Sequence, residues 1–283
     1  MRFIIHTQYY PPEIGAPQNR LHELAILLKR KGIDVTVLTA MPNYPRGCVY
    51  DGYGGFLRIE SLDGVKVIRT AIYPSQSARF LPRLLSYFSF VFSSLIGGVW
   101  KIGKADFILT ESPPIFLGLT GLLLSRLKGA RWIFNISDLW PESAAELGVV
   151  SRGGLAYRLS SVLERFLYRQ AWFVTGQSRT ILKNIQRRFP GVCTYHLSNG
   201  VDTVFFHPKS ELTEDQNFHV VYAGLHGLAQ GLEQIIFAAQ KISEDISIDF
   251  TFVGDGPDKA CLMQMVRDMN LKRVQFLEPV TKE

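Results

Sequence analysis

Residues 2–39 read RFIIHTQYYPPEIGAPQNRLHELAILLKRKGIDVTVLT, and the order of apolar and polar residues in this stretch decides the fold class. The apolar runs at 2–6 and 34–39 predict two buried strands. Between them, apolar residues recur at the spacing of one helix face, at Leu21, Leu24, Ala25 and Leu28. Gly32 then ends the helix. A strand, a helix and a second strand in this order predict a βαβ unit with parallel strands.

The same alternation continues along the rest of the chain. We predict further strands at 106–110, 132–136, 172–175 and 195–197, helices at 115–127, 155–169 and 178–188 (the last with Ser178 as N-cap), and a hairpin at 57–59 and 65–69. After the polar residues 209–217 the pattern restarts, with strands at 219–223, 248–253 and 274–277 and helices at 228–242 and 258–269. Two such runs predict an α/β protein of two Rossmann-like, doubly wound domains. We place these domains at residues 1–205 and 206–283, and the second is too short to be complete.

Positive charge is concentrated in the predicted first domain. The 283 residues include 31 Lys and Arg against 25 Asp and Glu. Residues 1–205 hold 24 of the basic and 13 of the acidic residues, whereas residues 206–283 hold 7 and 12. A basic first domain favours a phosphate-bearing substrate or an anionic membrane surface. The basic residues are dispersed and form no recognisable nucleic-acid-binding module, so we expect no nucleic-acid partner.

Several classes of protein and site are disfavoured by what the sequence lacks. Cys48, Cys193 and Cys261 are far apart, which argues against a disulfide framework or a zinc site. The histidines have no metal-ligand spacing, and the absence of GxGxxG argues against a dinucleotide-dependent dehydrogenase. The N-terminus does not have the pattern of a signal peptide. We therefore expect a cytoplasmic protein with no bound metal.

Residues 84–100 form a run of 17 residues without a charge. Basic residues flank both ends of this run, at Arg79, Arg83, Lys101 and Lys104. A spanning helix needs about 20 apolar residues, and this run is shorter and contains serines and glycines. Three interpretations stay open, in falling order: a helix buried in the protein or at an interface, a helix that dips into a membrane surface, and a true membrane span.

Ligands of doubly wound sheets bind beyond the carboxyl ends of the strands, and several candidate loops lie there. Gly15 and Ala16 begin a helix, whose N-terminus attracts anions, although a tight βα loop explains them equally well. Asp138 follows a strand and is suited to accept hydrogen bonds from sugar hydroxyls, or alternatively to cap a helix. Asn199 lies in a turn that has no meaning by itself. The glycine-bearing loops at 224–231 and 254–257 each open a helix of the second domain.

Six motifs, in this order, resemble those of one enzyme family. They are YYPPEIGAPQNR (9–20), MPNYPRG (41–47), DLWPES (138–143), SNGVDTVFFHP (198–208), YAGLHGLAQGLE (222–233) and FVGDGPDK (252–259). The chain resembles the retaining glycosyltransferases of family 4, which have the two-Rossmann GT-B fold. It is most similar to the bacterial branch that includes N-acetyl-L-fucosamine transferases of capsule and O-antigen synthesis. In this family a Glu-x7-Glu pair and a helix that returns to the first domain follow the last motif, so the resemblance implies a C-terminal truncation.

The resemblance implies transfer of a sugar, with retention, from a nucleotide diphospho-sugar that is usually UDP-linked. The acceptor is a lipid-linked sugar or polysaccharide of cell-surface glycan synthesis, bound by the first domain at the inner membrane face. No cofactor and no protein nucleophile are implied, because orientation and electrostatics do the catalytic work. The implied residues are Asp138 for catalysis, Gly15, Ala16, Gly224 and Gln230 for the donor diphosphate, Gly254, Asp255 and Gly256 for the nucleoside, and Glu13, Arg20, Glu142 and Asn199 for the acceptor and cleft.

Two features of the chain depart from the family pattern. Leu225 and Gln230 stand where the family often has an Arg and a Lys that bind the diphosphate, and the loss of both cations costs roughly 3–6 kcal/mol. The missing Glu pair removes part of the donor pocket, so we expect residues 1–283 to be inactive by themselves. Two alternatives are a truncated remnant that binds acceptor or membrane without catalysis, and a nucleotide-sugar 2-epimerase of the same fold.

Overall fold

The computed structural model describes residues 1–75, 80–146, 150–207, 217–227, 230–242 and 246–280. The chain divides into two compact units, Met1–Gly200 and Val201–Glu283. The boundary between them lies a few residues before the one predicted from the sequence. Residues 208–216, in which we predicted a polar connection, lie outside the described residues.

Unit 1 (Met1–Gly200) is built on one sheet of eight strands. The strands are β1 Arg2–His6, β2 Asp34–Ala40, β3 Leu57–Leu62, β4 Val65–Thr70, β5 Phe107–Ser112, β6 Arg131–Ile136, β7 Phe173–Gly176 and β8 Thr194–His196. Their order in the sheet is β3-β4-β2-β1-β5-β6-β7-β8. Every neighbouring pair is parallel except the antiparallel hairpin of β3 and β4. The carboxyl ends of seven strands therefore lie at one edge, which we call the carboxyl edge.

The helices of unit 1 are distributed unequally over the two sides of the sheet. They are α1 Ala16–Arg30, α2 Phe80–Lys101, α3 Leu117–Lys128, α4 Glu142–Glu146, α5 Leu155–Gln170 and α6 Arg179–Arg188. On one side Ile5 packs with Leu21 of α1. On the other side Ile4 packs in one cluster with Leu124 of α3 and Leu167 of α5. Right-handed crossovers explain the division, because the chain crosses the sheet in one direction through α1 and in the other through α2, α3, α5 and α6.

Unit 2 (Val201–Glu283) has a smaller sheet of three parallel strands in the order β11-β10-β9. The strands are β9 Phe218–Ala223, β10 Ile248–Val253 and β11 Val274–Leu277, and the described helices are α7 Glu233–Lys241 and α8 Lys259–Asp268. The core contains Ile236, Phe250, Phe252 and Leu262. The strand–helix alternation predicted for this part of the chain is confirmed.

Most predicted elements agree with the structure, and the differences have local causes. The predicted strands at 2–6, 248–253 and 274–277 are reproduced, and the Ser178 side chain caps α6 by accepting from Thr180 N at 3.1 Å. The helix expected from residue 228 begins at Glu233, because Gly231 has φ 60°, which no helix accommodates. Leu228 and Ala229 lie outside the described residues. The short helix α4 was not predicted.

Helix α2 covers the uncharged run of the sequence. Within the described part of the chain, this is the one helix long and apolar enough to cross a membrane, by length and composition alone. Its inner side packs on the sheet, where Ser94 Oγ lies 3.2 Å from His6 Nε2, and 39% of the window from Leu84 to Lys101 is buried. Side chains such as Phe92 and Trp100 are exposed on its outer side. The first interpretation of this run, a helix packed on the protein with an interface-seeking side, agrees with this placement.

We expect Gly121→Ala to destabilise unit 1, because α3 packs closely on β5 and β6 at this position. A Cβ at Gly121 would overlap Thr110 Oγ1 and lie 2.7 Å from Trp132 Nε1, which donates to Thr110 Oγ1 at 3.0 Å. Overpacking outweighs the gain in helix propensity, so the free energy of unfolding should fall by about 2 kcal/mol. Chemical denaturation measures this change. Gly103→Ala is the matched control, since nothing lies within 4 Å of its Cβ position, and an equal loss there would contradict the packing argument.

Candidate active site

Glu13 is a buried carboxylate that joins two loops of the carboxyl edge. Its Oε1 accepts from the backbone N–H of Asn43 at 2.7 Å and of Tyr44 at 2.8 Å, and its Oε2 accepts from Tyr10 N at 3.3 Å. Burial raises the pKa of the Glu13 carboxyl in spite of these hydrogen bonds. Glu13 therefore holds the loop after β1 against the loop after β2. Its predicted contact with an acceptor stays a prediction, and in the described contacts it supports the loops.

A row of three buried polar side chains crosses the ends of β5, β6 and β7. Glu111, Asn135 and Thr175 are partners in the parallel register of these strands. Asn135 Nδ2 donates to Glu111 Oε2 at 2.7 Å, and Thr175 Oγ1 donates to Asn135 Oδ1 at 2.7 Å. The register brings the three residues together although they are far apart in sequence. We call them the polar row.

Arg20 of α1 completes the polar row. Its Nη2 lies 2.6 Å from Glu111 Oε1 in an ion pair whose two side chains are both largely buried. Ser137, the first residue after β6, donates to the same Glu111 oxygen. With its amide oriented to accept, Gln177 takes a further hydrogen bond from Arg20 Nη2 at 3.0 Å. The polar row thereby holds the start of the loop that contains Asp138.

The electrostatic state of Glu111 results from two opposed effects. Burial raises the pKa of its carboxyl, while the Arg20 guanidinium and the hydrogen bonds from Ser137 and Asn135 lower it. An unpaired carboxylate in this position would be costly. Arg20, predicted to bind the acceptor, is therefore placed at the carboxyl edge but is engaged by Glu111.

Asp138 is exposed at the carboxyl edge, directly after the anchored Ser137. Within the described residues its carboxylate has no hydrogen-bond or ion-pair partner, and its backbone carbonyl accepts from Trp140 N at 3.0 Å. Partial burial raises the pKa of the carboxyl. Asp138 therefore presents a free carboxylate at a fixed position, which the role predicted for it requires.

Glu142 begins α4 and takes part in a structural ion cluster. Its Oε1 lies 2.7 Å from Arg188 Nη1. Arg188 also pairs with Glu164 of α5, at 3.1 Å and 2.5 Å for the two oxygens. Burial raises the pKa of Glu164 to about 7, with a further increase from the Glu142 charge, whereas Arg188 lowers it. The predicted acceptor role of Glu142 stays untested, and the contacts described here hold α4, α5 and α6 together.

The N-terminus of α1 lies at the carboxyl edge beside these loops. Gly15 is the N-cap residue and has an extended backbone, and Ala16 is the first helical residue. The amide of Gln18 occupies the space above Gly15, because a Cβ there would lie 3.1 Å from Gln18 Cδ. Gln18 Oε1 is buried and has no hydrogen-bond partner among the described residues. Gly15 and Ala16 are therefore placed where the first turn offers free backbone N–H groups.

Two glycine loops of unit 2 pack against each other through their backbones. Gly254, with φ 143°, has no room for a Cβ beside the Gly224 carbonyl, and a Cβ at Gly256 would overlap the His226 backbone. His226 N donates to Asp255 O at 2.9 Å, and Asp258 N donates to His226 O at 3.0 Å. The predicted loops at 224–227 and 254–257 are thus one joined structure at the carboxyl ends of β9 and β10.

The His226 ring fills the space below these two loops. It is fully buried against the rings of Tyr222, Phe252 and Phe276. Neither ring nitrogen has a hydrogen-bond partner in the described part of the chain. Burial and the nearby Lys259 lower the pKa of the ring, so the neutral form is favoured. His226 supports the loop shape.

The remaining predicted residues are exposed at loop positions. Leu225, Gln230 and Asp255 are exposed in unit 2, and Asp255 Oδ1 accepts from Gly256 N at 2.8 Å. Asn199 is exposed after β8, at the end of unit 1. Among the residues that the structure describes, no group of three or more His, Cys, Asp or Glu is arranged to hold a metal ion. None of these placements tests the predicted contacts with ligands.

Sequence reasoning missed the polar row and His226. The available signal was a polar residue at the end of each predicted strand, in TES at 110–112, NIS at 135–137 and TGQ at 175–177. Side chains at the carboxyl end of a parallel strand lie where ligands bind in such folds. His226 gave no signal of its own, because its burial depends on packing against two other strands.

A family model described as "Glycosyl transferase 4-like domain" matches residues 15–194. Among curated proteins the chain is 27% identical to WcaI of Escherichia coli K12, a glycosyl transferase assigned to colanic acid biosynthesis, over 98% of this chain and 71% of that protein. It is 28% identical to the glycosyltransferase WbjE of Pseudomonas aeruginosa, over 64% of this chain and 48% of that protein.

Solved structures with similar folds cover nearly the whole chain. Sucrose-phosphate synthase of Thermosynechococcus elongatus has a TM-score of 0.73 at 17% identity, over 99% of this chain and 71% of that one. HepE of Anabaena, solved with UDP and glucose, has a TM-score of 0.67 at 16% identity, over 100% and 70%. WaaG, a glycosyltransferase of lipopolysaccharide biosynthesis, has a TM-score of 0.63 at 13% identity, over 99% and 70%. These likenesses confirm the predicted GT-B fold class.

The Glu142–Arg188–Glu164 cluster predicts a pH-dependent stability. Below pH 4.5 the Glu164 carboxyl is neutral in both states; as the pH rises towards 7, the unfolded chain ionises first and is favoured. The free energy of unfolding should therefore fall between pH 5 and pH 8, with up to about 3 kcal/mol from this group. Chemical denaturation at several pH values, for the wild type and for Glu164→Gln, isolates its contribution.

Glu146→Gln is the control for this measurement. Glu146 is an exposed residue whose ion pair with Arg152 spans 3.6 Å, so its removal should leave the pH dependence unchanged. A Glu164→Gln variant with the same pH profile as the wild type would show that Glu164 stays ionised in the folded protein.

Proposed function

The chain belongs to the glycosyl transferase 4-like family and is a glycosyltransferase of glycan biosynthesis, and from this premise we propose its donor, acceptor and reaction course. The donor is a nucleotide diphospho-sugar, UDP-linked, and the acceptor is a lipid-linked sugar or polysaccharide of the cell surface. Transfer proceeds with retention, as in the N-acetyl-L-fucosamine transferase-like branch of capsule and O-antigen synthesis. No cofactor takes part.

The observation that supports this proposal most strongly is the arrangement of the carboxyl edge of unit 1. Arg20, Glu111 and Ser137 anchor the residue that precedes Asp138, whose carboxylate is exposed and unpaired within the described residues. The first turn of α1 lies at the same edge. A free carboxylate and a set of free backbone N–H groups are the two elements that sugar transfer from a diphosphate donor needs.

The proposed reaction relies on orientation and charge. Asp138 accepts a hydrogen bond from the acceptor hydroxyl and orients it. The N-terminus of α1 and the loops at Gly224 and Gly254 lie at strand ends suited to a diphosphate and a nucleoside, because backbone N–H groups stabilise the charge of the leaving group. The loops have little freedom to move, since Glu13 ties those of unit 1 and His226 fills the space under those of unit 2. Preorganised loops lower the cost of positioning the substrates.

Similar proteins support the choice of donor and acceptor. HepE was solved with UDP and glucose, and the matched relative WcaI is assigned to colanic acid biosynthesis. For this chain, a UDP-sugar donor and a cell-surface acceptor are the corresponding proposals. A lipid-linked acceptor would place the protein on the cytoplasmic face of the membrane, and the basic excess of residues 1–205 favours that location.

A panel of labelled nucleotide sugars tests the proposed function. The 283-residue chain and the product of the complete reading frame are incubated with UDP-, GDP- and ADP-sugars and a lipid-linked acceptor extract. We expect a labelled lipid from a UDP-sugar with the complete product, and the anomeric configuration is read by NMR. Conversion of a UDP-sugar without transfer would indicate the 2-epimerase alternative, and acceptor binding without turnover the non-catalytic one.

We expect Asp138→Asn to reduce the rate of sugar transfer by about 100-fold or more, because the amide cannot take the proton of the acceptor hydroxyl. The side chain is exposed and unpaired among the described residues, so the free energy of unfolding should change by less than about 0.5 kcal/mol. Asp34→Asn, at the exposed start of β2 on the opposite edge of the sheet, is the control. Full activity in the Asp138→Asn variant would remove Asp138 from the mechanism.

We expect Gln230→Lys to strengthen UDP binding about tenfold, because a cation forms stronger hydrogen bonds with a diphosphate than a neutral amide does. Isothermal titration with UDP measures the change, and uridine, which lacks phosphate, should show none. Gln240→Lys at the far end of α7 adds the same charge away from the loop. Equal gains from both variants would mean that general electrostatics, and not a contact at residue 230, determines the affinity.

A further inference from the structure

The side of the unit 1 sheet covered by α2, α3, α5 and α6, which we call the helical face, has an unusual charge composition. Glu164 is the single acidic residue in the sequences of these four helices. It is buried and paired with Arg188. Exposed cations extend along the outer surface, among them Lys128, Arg165 and Lys183. The helical face therefore offers positive charge to solvent with no carboxylate from its helices.

Helix α5 exposes a long apolar stripe on this face. Leu155, Leu159, Val162 and Phe166 are 72%, 61%, 67% and 46% exposed. Their spacing of four, three and four residues places them on one side of the helix, over about 16 Å. Glu164, Leu167 and Tyr168 face the interior and are buried. A helix on a soluble surface usually has one apolar side, and α5 has a second one without a partner among the described residues.

A row of arginines runs beside the apolar stripe. Arg158, Arg165 and Arg169 are exposed and follow each other at spacings of seven and four residues, so they also share one side of the helix. Within the described part of the chain, no carboxylate lies within ion-pair distance of them. An apolar stripe with a parallel row of cations is the arrangement of helices that lie in a membrane interface.

Neighbouring helices continue this surface. α3 packs between α2 and α5 and adds the exposed Leu123 and Leu127. Lys128 Nζ at its end donates to the Val99 carbonyl of α2 at 2.8 Å. Trp100 lines an apolar groove of α2, and its ring is among the most exposed in unit 1. Apolar side chains are thus exposed on three adjacent helices of one face.

We propose that the helical face, with the α5 stripe as its anchor, docks on an anionic phospholipid bilayer. The lipid headgroups complement the unpaired arginines, and the interface accommodates the leucine, valine and phenylalanine side chains. A second copy of this chain is disfavoured as the occupant, because a symmetric dimer would place one basic face against another. The inference rests on the proposed membrane location, and it specifies which surface makes the contact.

The docking surface begins at the edge of the sheet that holds the candidate active site. α5 follows the loop that contains Asp138, so Leu155 at its start lies towards the carboxyl edge. A bilayer in contact with the stripe would bring the sugar of a lipid-linked acceptor towards this edge.

Vesicle binding of the 283-residue chain tests the inference. We expect sedimentation with mixed phosphatidylglycerol–phosphatidylcholine vesicles, weaker binding at high salt and little binding to phosphatidylcholine alone. The double variant Leu159→Asp, Val162→Asp should bind at least tenfold more weakly. Arg165→Gln and Arg169→Gln should each weaken binding about fivefold. Leu27→Asp and Arg30→Gln on α1, exposed on the opposite side of the sheet, are the matched controls and should bind as the wild type does.

Two further measurements separate this inference from the proposed function. Circular dichroism and thermal unfolding establish that each variant is folded, and transfer to a water-soluble acceptor analogue should be unaffected by the α5 substitutions. Vesicle binding requires no turnover, so a failed transfer assay leaves it intact. Equal binding by the α5 variants and the wild type would overturn the inference, as would equal losses in the α1 controls. An oligomer in solution that the Leu159→Asp, Val162→Asp substitutions dissociate would also overturn it.

Discussion

A buried carboxylate at the end of a central strand sets the geometry of unit 1. Glu111 lies inside the protein at the end of β5, where an ionised group is stable only with charge and hydrogen-bond partners. Arg20 supplies the charge from α1, and Asn135 and Ser137 supply the hydrogen bonds from β6 and the loop after it. These contacts require α1 to start directly after the Gly15 loop and the strands to keep their register. One ion pair thus couples the position of a helix, two strands and the Asp138 loop.

The two units build their loops by different means. In unit 1, Glu13 uses its carboxylate to bind the backbone of two loops, so a side chain replaces the missing backbone partners. In unit 2, glycines let two loops meet backbone to backbone above the His226 ring. Both solutions leave a rigid surface with few reactive side chains. This suits the proposed reaction, which depends on the orientation of two substrates and on stabilisation of the leaving diphosphate.

The two sides of the unit 1 sheet have different surroundings because crossovers are right-handed. The chain crosses in one direction through α1 and in the other through four helices, and nearly all carboxylates are absent from those four. The excess of positive charge in residues 1–205 is therefore concentrated on one surface. Charge gathered on one side affects association with anionic partners far more than the same charge dispersed over the whole molecule.

Local patterns in the sequence were sufficient for the elements and for the fold class. Periodicity located β1, β10 and β11 at their observed bounds, and the Ser178 cap and the β3–β4 hairpin followed from local chemistry. These features depend on residues close together in the chain. Local patterns failed at α4, which is too short to show periodicity, and at the start of α7, where the φ of Gly231 decides.

The partners of the candidate site were decided by tertiary structure alone. Glu111, Asn135 and Thr175 form one row because β5, β6 and β7 are adjacent in register, and Arg188 engages Glu142 because α6 packs beside α4 and α5. Sequence spacing contains no information about which strands become neighbours over such separations. The sequence by itself determined two runs of parallel α/β structure, a basic first half and the exposed position of Asp138 after a strand. Which polar groups are buried together, and which side of the sheet is positive, depends on strand order and helix packing.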